Sequence, residues 1–172
     1  MRIDRRAYHA AVKRWFEVEE ADPELAAAVR ERFEVHGLGL LATIRADGAP
    51  RISGVEPLFA LGELWLGMMP NSRKALDLLR DPRFALHAAT IDRAVTDGDA
   101  KLSGWANPVD DPAVMIDFRD AFEATTGYPP PPGPFPLFRA DILDMSIVRS
   151  AGDHLDIRWW REGEGVGHIE RR

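Results

Sequence analysis

Apolar side chains recur at three- and four-residue intervals over the first 35 residues and then give way to runs of strand length. From Asp4 to about Val35, Tyr8, Ala11, Val12, Trp15 and Phe16 follow the helical period. Asp22-Pro23 restarts the helix, with Asp22 as N-cap and Pro23 in the first helical position. The second helix sets Leu25, Ala28, Val29, Arg32 and Phe33 along one face and ends at Gly37. Leu38 to Ile44 then reads as a strand, Ala46 to Pro50 as a hairpin turn on Asp47-Gly48, and Arg51 to Ala60 as the return strand. Gly62-Glu63 turns the chain into a third strand, Leu64 to Met69.

Asn71 or Ser72 caps a short helix, Arg73 to Arg80, that stops before Asp81-Pro82. Phe84 to Ile91 and Ala100 to Ala106 read as strands turned at Asp97-Gly98-Asp99. Asp111-Pro112 opens a helix to about Thr125. The segment 128–136 is too rich in proline for helix or central strand and reads as a stiff extended loop. Leu137 to Val148 and His154 to Trp160 form a last hairpin around Gly152. Six or seven antiparallel strands with peripheral helices predict a small closed β-barrel of the α+β class. With 172 residues the chain fits one domain. Its N-terminal helices occupy 1–36, and a barrel over 38–161 carries helices 72–80 and 112–125.

Charge narrows the function. Twenty-eight Asp and Glu outnumber 22 Lys and Arg, for a net charge of -6, which argues against nucleic acid or an anionic membrane as partner. There is no cysteine, so disulfides, thiolate metal sites and thiol nucleophiles are excluded. No apolar run reaches the length of a signal peptide or membrane span, and a cytoplasmic location is expected. The five histidines have no metal-ligand spacing, and no G-x-S-x-G elbow marks a hydrolase, so neither a metal site nor a Ser-His-Asp triad is expected. No side chain stands out as general acid or base.

An anion must then be held by a local cluster, and Asn71-Ser72-Arg73-Lys74 supplies one. A helix N-terminus offers unpaired amides and the positive end of the dipole. Ser72 adds a hydroxyl, while Arg73 and Lys74 place two cations where the dipole favours carboxylates. A bound phosphate resolves that conflict; pairing of the two cations with Asp77 and Asp81 is the alternative. Arg51, on the strand face shared with Ser53 and Val55, is a third candidate donor.

The ordered set LATIRADGAPRISGVEPLF and ELWLGMMPNSRKALDLLRDPRFAL resembles the pyridoxamine 5'-phosphate oxidase-like split-barrel flavoproteins, from about Leu38 to Ala106. The resemblance implies an oxidoreductase acting on a small molecule, built as a homodimer with FMN in a groove between subunits. It implies that Arg51, Ser72, Arg73 and Lys74 contact the FMN phosphate. Backbone near Ile52-Ser53 and Gly67-Met68 would line the ribityl chain and ring, with Leu102 to Trp105 alongside. Trp160 is a further candidate flavin neighbour. Where vitamin B6 oxidases carry Arg-x-His, this chain has Val166-Gly167-His168, so His168 is a candidate substrate contact but the arginine is absent, which argues against B6 oxidation. Related split barrels imply two alternatives, a deazaflavin coenzyme of the F-420 type and, less strongly, haem. Arg2, Arg5, Arg6, Lys13 and Arg14 could form the basic groove that a deazaflavin's acidic tail wants. A non-catalytic flavin- or haem-binding protein is the remaining alternative.

Overall fold

The change of period near Gly37 separates a helical lead-in from a nine-stranded antiparallel sheet in the computed structural model, which describes residues 12–172. Lys13 is extended rather than helical, bridging Ile142 through Lys13 N to Ile142 O at 2.9 Å. The helical pattern expected from Asp4 therefore begins only at α1 (Trp15–Ala21), and its part before residue 12 lies outside the described residues. Asp22 caps α2 (Pro23–Glu34) as expected, its carboxylate accepting from Leu25 N at 3.1 Å.

The strands are β1 (Gly39–Ile44), β2 (Pro50–Val55), β3 (Pro57–Ala60), β4 (Glu63–Gly67), β5 (Arg83–Ala88), β6 (Asp99–Val109), β7 (Leu137–Ala151), β8 (His154–Arg161) and β9 (Gly165–Arg171). Helix α3 (Arg73–Arg80) lies between β4 and β5, and α4 (Pro112–Thr126) between β6 and β7. Two strands exceed the expected six or seven. The single return strand Arg51 to Ala60 breaks at Glu56 into β2 and β3, and Gly165 to Arg171 pairs with β8 as an unforeseen edge strand.

The sheet runs β2-β1-β5-β6-β7-β4-β3, with β8 and β9 branching from β7. The branch is possible because β7 is long: its first residues pair with β4 and its last eight with β8, both along the edge opposite β6. Hydrogen bonds do not close the barrel, contrary to the closed form expected from strand count. The two strands that end its main path, β2 and β3, are instead joined covalently through the one residue Glu56. At Gly104 a register shift brings β6 so close to β7 that a Cβ would overlap the Asp141 carbonyl.

Inward residues of β1 to β8 meet those of α1 and α2 in the main core, where Trp15, Phe33, Leu41, Leu64, Phe138 and Ile142 are buried. A smaller apolar cluster of Leu58, Trp65, Phe118 and Leu137 holds α4 against β3 and β4. Phe118 also contacts Phe135 of the proline-rich loop, with ring centroids 5.9 Å apart. No helix among the described residues is long and apolar enough to cross a membrane.

Candidate functional site

After β4 the chain passes Met68 and Met69, turns at Asn71 in the left-handed region (φ 58°), and enters α3 with Ser72 as N-cap. Asn adopts that conformation more readily than most residues. The turn closes through Ser72 N donating to Met69 O at 3.2 Å. The Ser72 hydroxyl does not perform the usual capping bond, although its Oγ is buried and has no hydrogen-bond partner. A buried hydroxyl left in this state costs about 1–3 kcal/mol. It stands beside the first amides of α3, which have no intrahelical acceptor.

The two cations at this helix start behave differently from the surface pairs weighed as the alternative. Asp77 is bonded to Arg51 and Arg80, and Asp81 to Arg83; neither partners Arg73 or Lys74. Among the described residues Arg73 has no ion-pair partner. Lys74 Nζ donates to Gly54 O at 2.5 Å. Burial against apolar walls pushes the Lys74 ammonium below its ordinary pKa, and the Glu56 carboxylate partly opposes this.

Arg51 reaches the same region from β2 but is held by Asp77. The inward faces of β1 and β2 place Thr43 opposite Arg51, and α3 packs over β1 with Asp77 facing them. Asp77, 4% exposed, accepts from Arg51 Nε at 2.7 Å and from Thr43 Oγ1 at 3.0 Å, with Arg80 at 3.3 Å. Burial alone would raise the Asp77 pKa; the bonds from Arg51, Thr43 and Arg80 outweigh it and hold the carboxyl below its usual value. Sequence reading named Asp77 only as a possible partner of Arg73 and Lys74, and missed Thr43 and the pairing of Asp77 with Arg51. The available signal was a polar residue at an inward position of β1.

Beside Lys74 lies a cavity of about 510 Å3. Gly54 and Val55 from β2, Gly67 at the end of β4 and Met68 after it line the cavity together with Phe118 and Phe122 of α4. Pro130, Pro131 and Phe135 bring the proline-rich loop to the same wall. Met68 N donates to Pro136 O at 3.0 Å, tying that loop to the strand side. A second cavity of about 720 Å3 adjoins the first, sharing Leu38, Glu56 and Phe122, and extends past His36, Phe59 and Tyr128.

The structure thus gathers Lys74 and Met68 on one cavity wall, with Gly67 beside them and Ser72 at the adjacent helix cap. Arg51 and Ser53 lie on the inward face of β2, and Ile52 on its outer face, 73% exposed. Trp160 is buried in the main core, opposite Met145 of β7. His168 is on the exposed edge strand β9, its Nε2 2.9 Å from Asp156, and lines neither cavity. Leu102, Gly104 and Trp105 are buried in β6, and Ser103 Oγ donates to Asp144 at 2.5 Å. Of the basic groove suggested for a deazaflavin, Arg2, Arg5 and Arg6 lie outside the described residues. Lys13 pairs with Glu17 at 3.2 Å and Arg14 pairs with Glu63. Among the described residues no cluster of three or more His, Cys, Asp or Glu could hold a metal ion.

A family model described as pyridoxamine 5'-phosphate oxidase matches residues 25–149. No curated protein matches the chain. Among solved structures, a conserved hypothetical protein from Mycobacterium tuberculosis is 25% identical with a TM-score of 0.58, covering 69% of this chain and 81% of that one. A pyridoxamine 5'-phosphate oxidase-related, FMN binding protein from Nostoc punctiforme is 15% identical with a TM-score of 0.62, covering 88% and 96%. A heme binding protein from Mycobacterium smegmatis is 16% identical with a TM-score of 0.55, covering 84% and 87%. At 15% and 16% identity these two likenesses speak for the fold and not for the ligand.

Proposed function

The chain belongs to the pyridoxamine 5'-phosphate oxidase family, and from that premise we propose that it binds FMN and acts as a flavin-dependent oxidoreductase on a small molecule. The observation that carries this reading is the buried, unpartnered Ser72 Oγ at the start of α3, next to Lys74. A phosphate there accepts from the hydroxyl, the free helix amides and Lys74 together, and Arg73 adds charge. Arg51, oriented by Asp77 through Nε, keeps the rest of its guanidinium for the same anion. The backbone at Gly67-Met68 and the apolar walls of the 510 Å3 cavity suit a flat, largely apolar ring.

A bound flavin supplies hydride and electron transfer, which no side chain here provides. The residues' part is to hold it, keep its phosphate neutralised and exclude water with Phe118, Phe122 and Phe135. Trp160, Ile52 and Ser53 remain proposed flavin neighbours and His168 a proposed substrate contact. The exposed Ile52 and the edge-strand His168 reach a cofactor only from a second subunit or a closer approach of β9, so the reading includes a homodimer with the cofactor at its interface. A cytoplasmic location belongs to the same proposal.

A haem reading needs an axial donor, and His36 is the described histidine on a cavity wall. A deazaflavin reading loses support because Lys13 and Arg14 are engaged with carboxylates. The absorption spectrum of the purified protein separates flavin from haem. Calorimetric titration with FMN, a deazaflavin and haem then compares wild type with an Arg73→Ala/Lys74→Ala double variant. The expected loss is roughly 100-fold or more in FMN affinity, from two charge-assisted contacts. Equal affinity in the two proteins rejects the phosphate site.

A further inference from the structure

Glu56 occupies a position that no other residue of the fold shares. It is the covalent link between β2 and β3, the two ends of the main strand path, and the one titratable residue common to the walls of both cavities. Among the described residues its carboxylate has no hydrogen bond or ion pair. Glu56 and Lys74 both line the first cavity, and the Glu56 charge opposes the lowering of the Lys74 pKa by burial.

Among the described residues, the lysine and arginines around these two cavities are already committed. On the flavin reading Lys74 takes the cofactor phosphate. Arg30, near Phe59, is paired with Glu34 at 2.6 Å. Arg119 spends its guanidinium on the carbonyls of Pro131 and Gly133. The threonine hydroxyl protons in the second cavity are committed too: Thr125 Oγ1 donates to Ala121 O and Thr126 Oγ1 to Phe122 O, each at 2.8 Å. A second anion entering this groove therefore meets the Glu56 carboxylate, and among the described residues no uncommitted lysine or arginine lines either cavity to offset it. An uncharged or positively charged group meets aromatic walls, the Tyr128 phenol and an unpaired carboxylate.

We propose that Glu56 is the specificity-determining residue of this groove, directing it to uncharged or amine-bearing ring compounds and excluding phosphorylated ones. The inference rests on the flavin reading for the fate of Lys74, and its test can fail separately. One unit charge facing another across a partly solvated cavity is worth roughly tenfold in affinity. The probes are pyridoxine, pyridoxine 5'-phosphate and pyridoxamine, which keep one ring and vary its charge. Each is titrated into FMN-loaded wild type, Glu56→Gln and Glu56→Lys, with FMN affinity and thermal melting recorded for all three proteins.

Wild type is expected to bind pyridoxine and pyridoxamine at least tenfold more tightly than the phosphate. The gap should narrow in Glu56→Gln and reverse in Glu56→Lys. Wild type that binds the phosphate as well as pyridoxine, a preference unchanged in Glu56→Lys, or no binding of any probe overturns the proposal. If wild type takes no FMN, the flavin reading fails. The same titrations on the cofactor-free protein then decide the role of Glu56 alone, by whether Glu56→Lys changes the ratio of phosphate to pyridoxine affinity.

Discussion

Asp77 is the residue through which three elements reach the candidate site. It sits on the buried face of α3, receives Arg51 from β2 and Thr43 from β1, and so fixes the helix start relative to the strands. Removing one partner of a buried ion pair costs about 3–5 kcal/mol, but Asn keeps the shape and one acceptor. Arg51 is also partly exposed, so Asp77→Asn is expected to cost a smaller ~1–3 kcal/mol. Because the folded carboxyl titrates below 3.8, its ordinary value, its contribution is fully present above that pH. That contribution disappears as pH falls through the folded value. Urea melts from neutral to acid pH should show a shallower acid decline in Asp77→Asn than in wild type; parallel curves would deny Asp77 this role. None of this was legible in the chain. The cations at 73 and 74 could be seen as misplaced against a helix dipole, but a buried carboxylate at 77 looked like one more surface charge in a helix of alternating charges. The pairing of Arg51 with it spans 26 residues of sequence and exists only once β2 and α3 are packed.

At the scale of elements, the helices and most strands were readable because their signals are local: Asp22-Pro23 and Asp111-Pro112 each cap a helix through their own side chains. What local pattern could not supply was the break at Glu56, since both β2 and β3 continue the same alternation. Nor could it supply β9, whose two glycines and exposed face carry no strand period. The proline-rich loop was legible as stiff and extended, yet its place as a cavity wall depends on α4. Arg119 of α4 donates to Pro131 O at 3.3 Å and to Gly133 O at 2.5 Å, and lies 4.9 Å over the Phe135 ring. Prolines give the segment a preset backbone, so a few bonds are enough to place it. Arg119→Ala should leave the fold intact and loosen the loop, giving about tenfold faster amide exchange at Gly133 and Phe135. These are the two residues of 129–136 that carry a backbone N–H. Unchanged exchange there would mean that the Phe118–Phe135 packing holds the loop without Arg119.

For the whole molecule, the open barrel leaves an outer sheet face whose composition does not suit exposure to water. On β1 and β2, Leu40 and Ile52 point outward, 47% and 73% exposed, with Ala42 registered opposite Ile52 and Gly54 opposite Leu40. Small and branched apolar residues at registered positions on one face, on an acidic chain otherwise well supplied with surface charge, fit a self-complementary contact. The homodimer proposed with the flavin reading would cover them. Ile52 also immediately follows Arg51 and precedes Ser53, so loss of this contact should reach the cofactor. Ile52→Lys places a charge in each half of such an interface without touching the inward core. Sedimentation should then report a single 19.2 kDa chain where wild type gives twice that mass. FMN affinity should fall with it, because a cofactor held between subunits loses half of its walls. A dimer that survives Ile52→Lys would move the interface off this face. A monomer that keeps full FMN affinity would mean that one subunit holds the whole site, and that the cavity beside Lys74 is sufficient by itself.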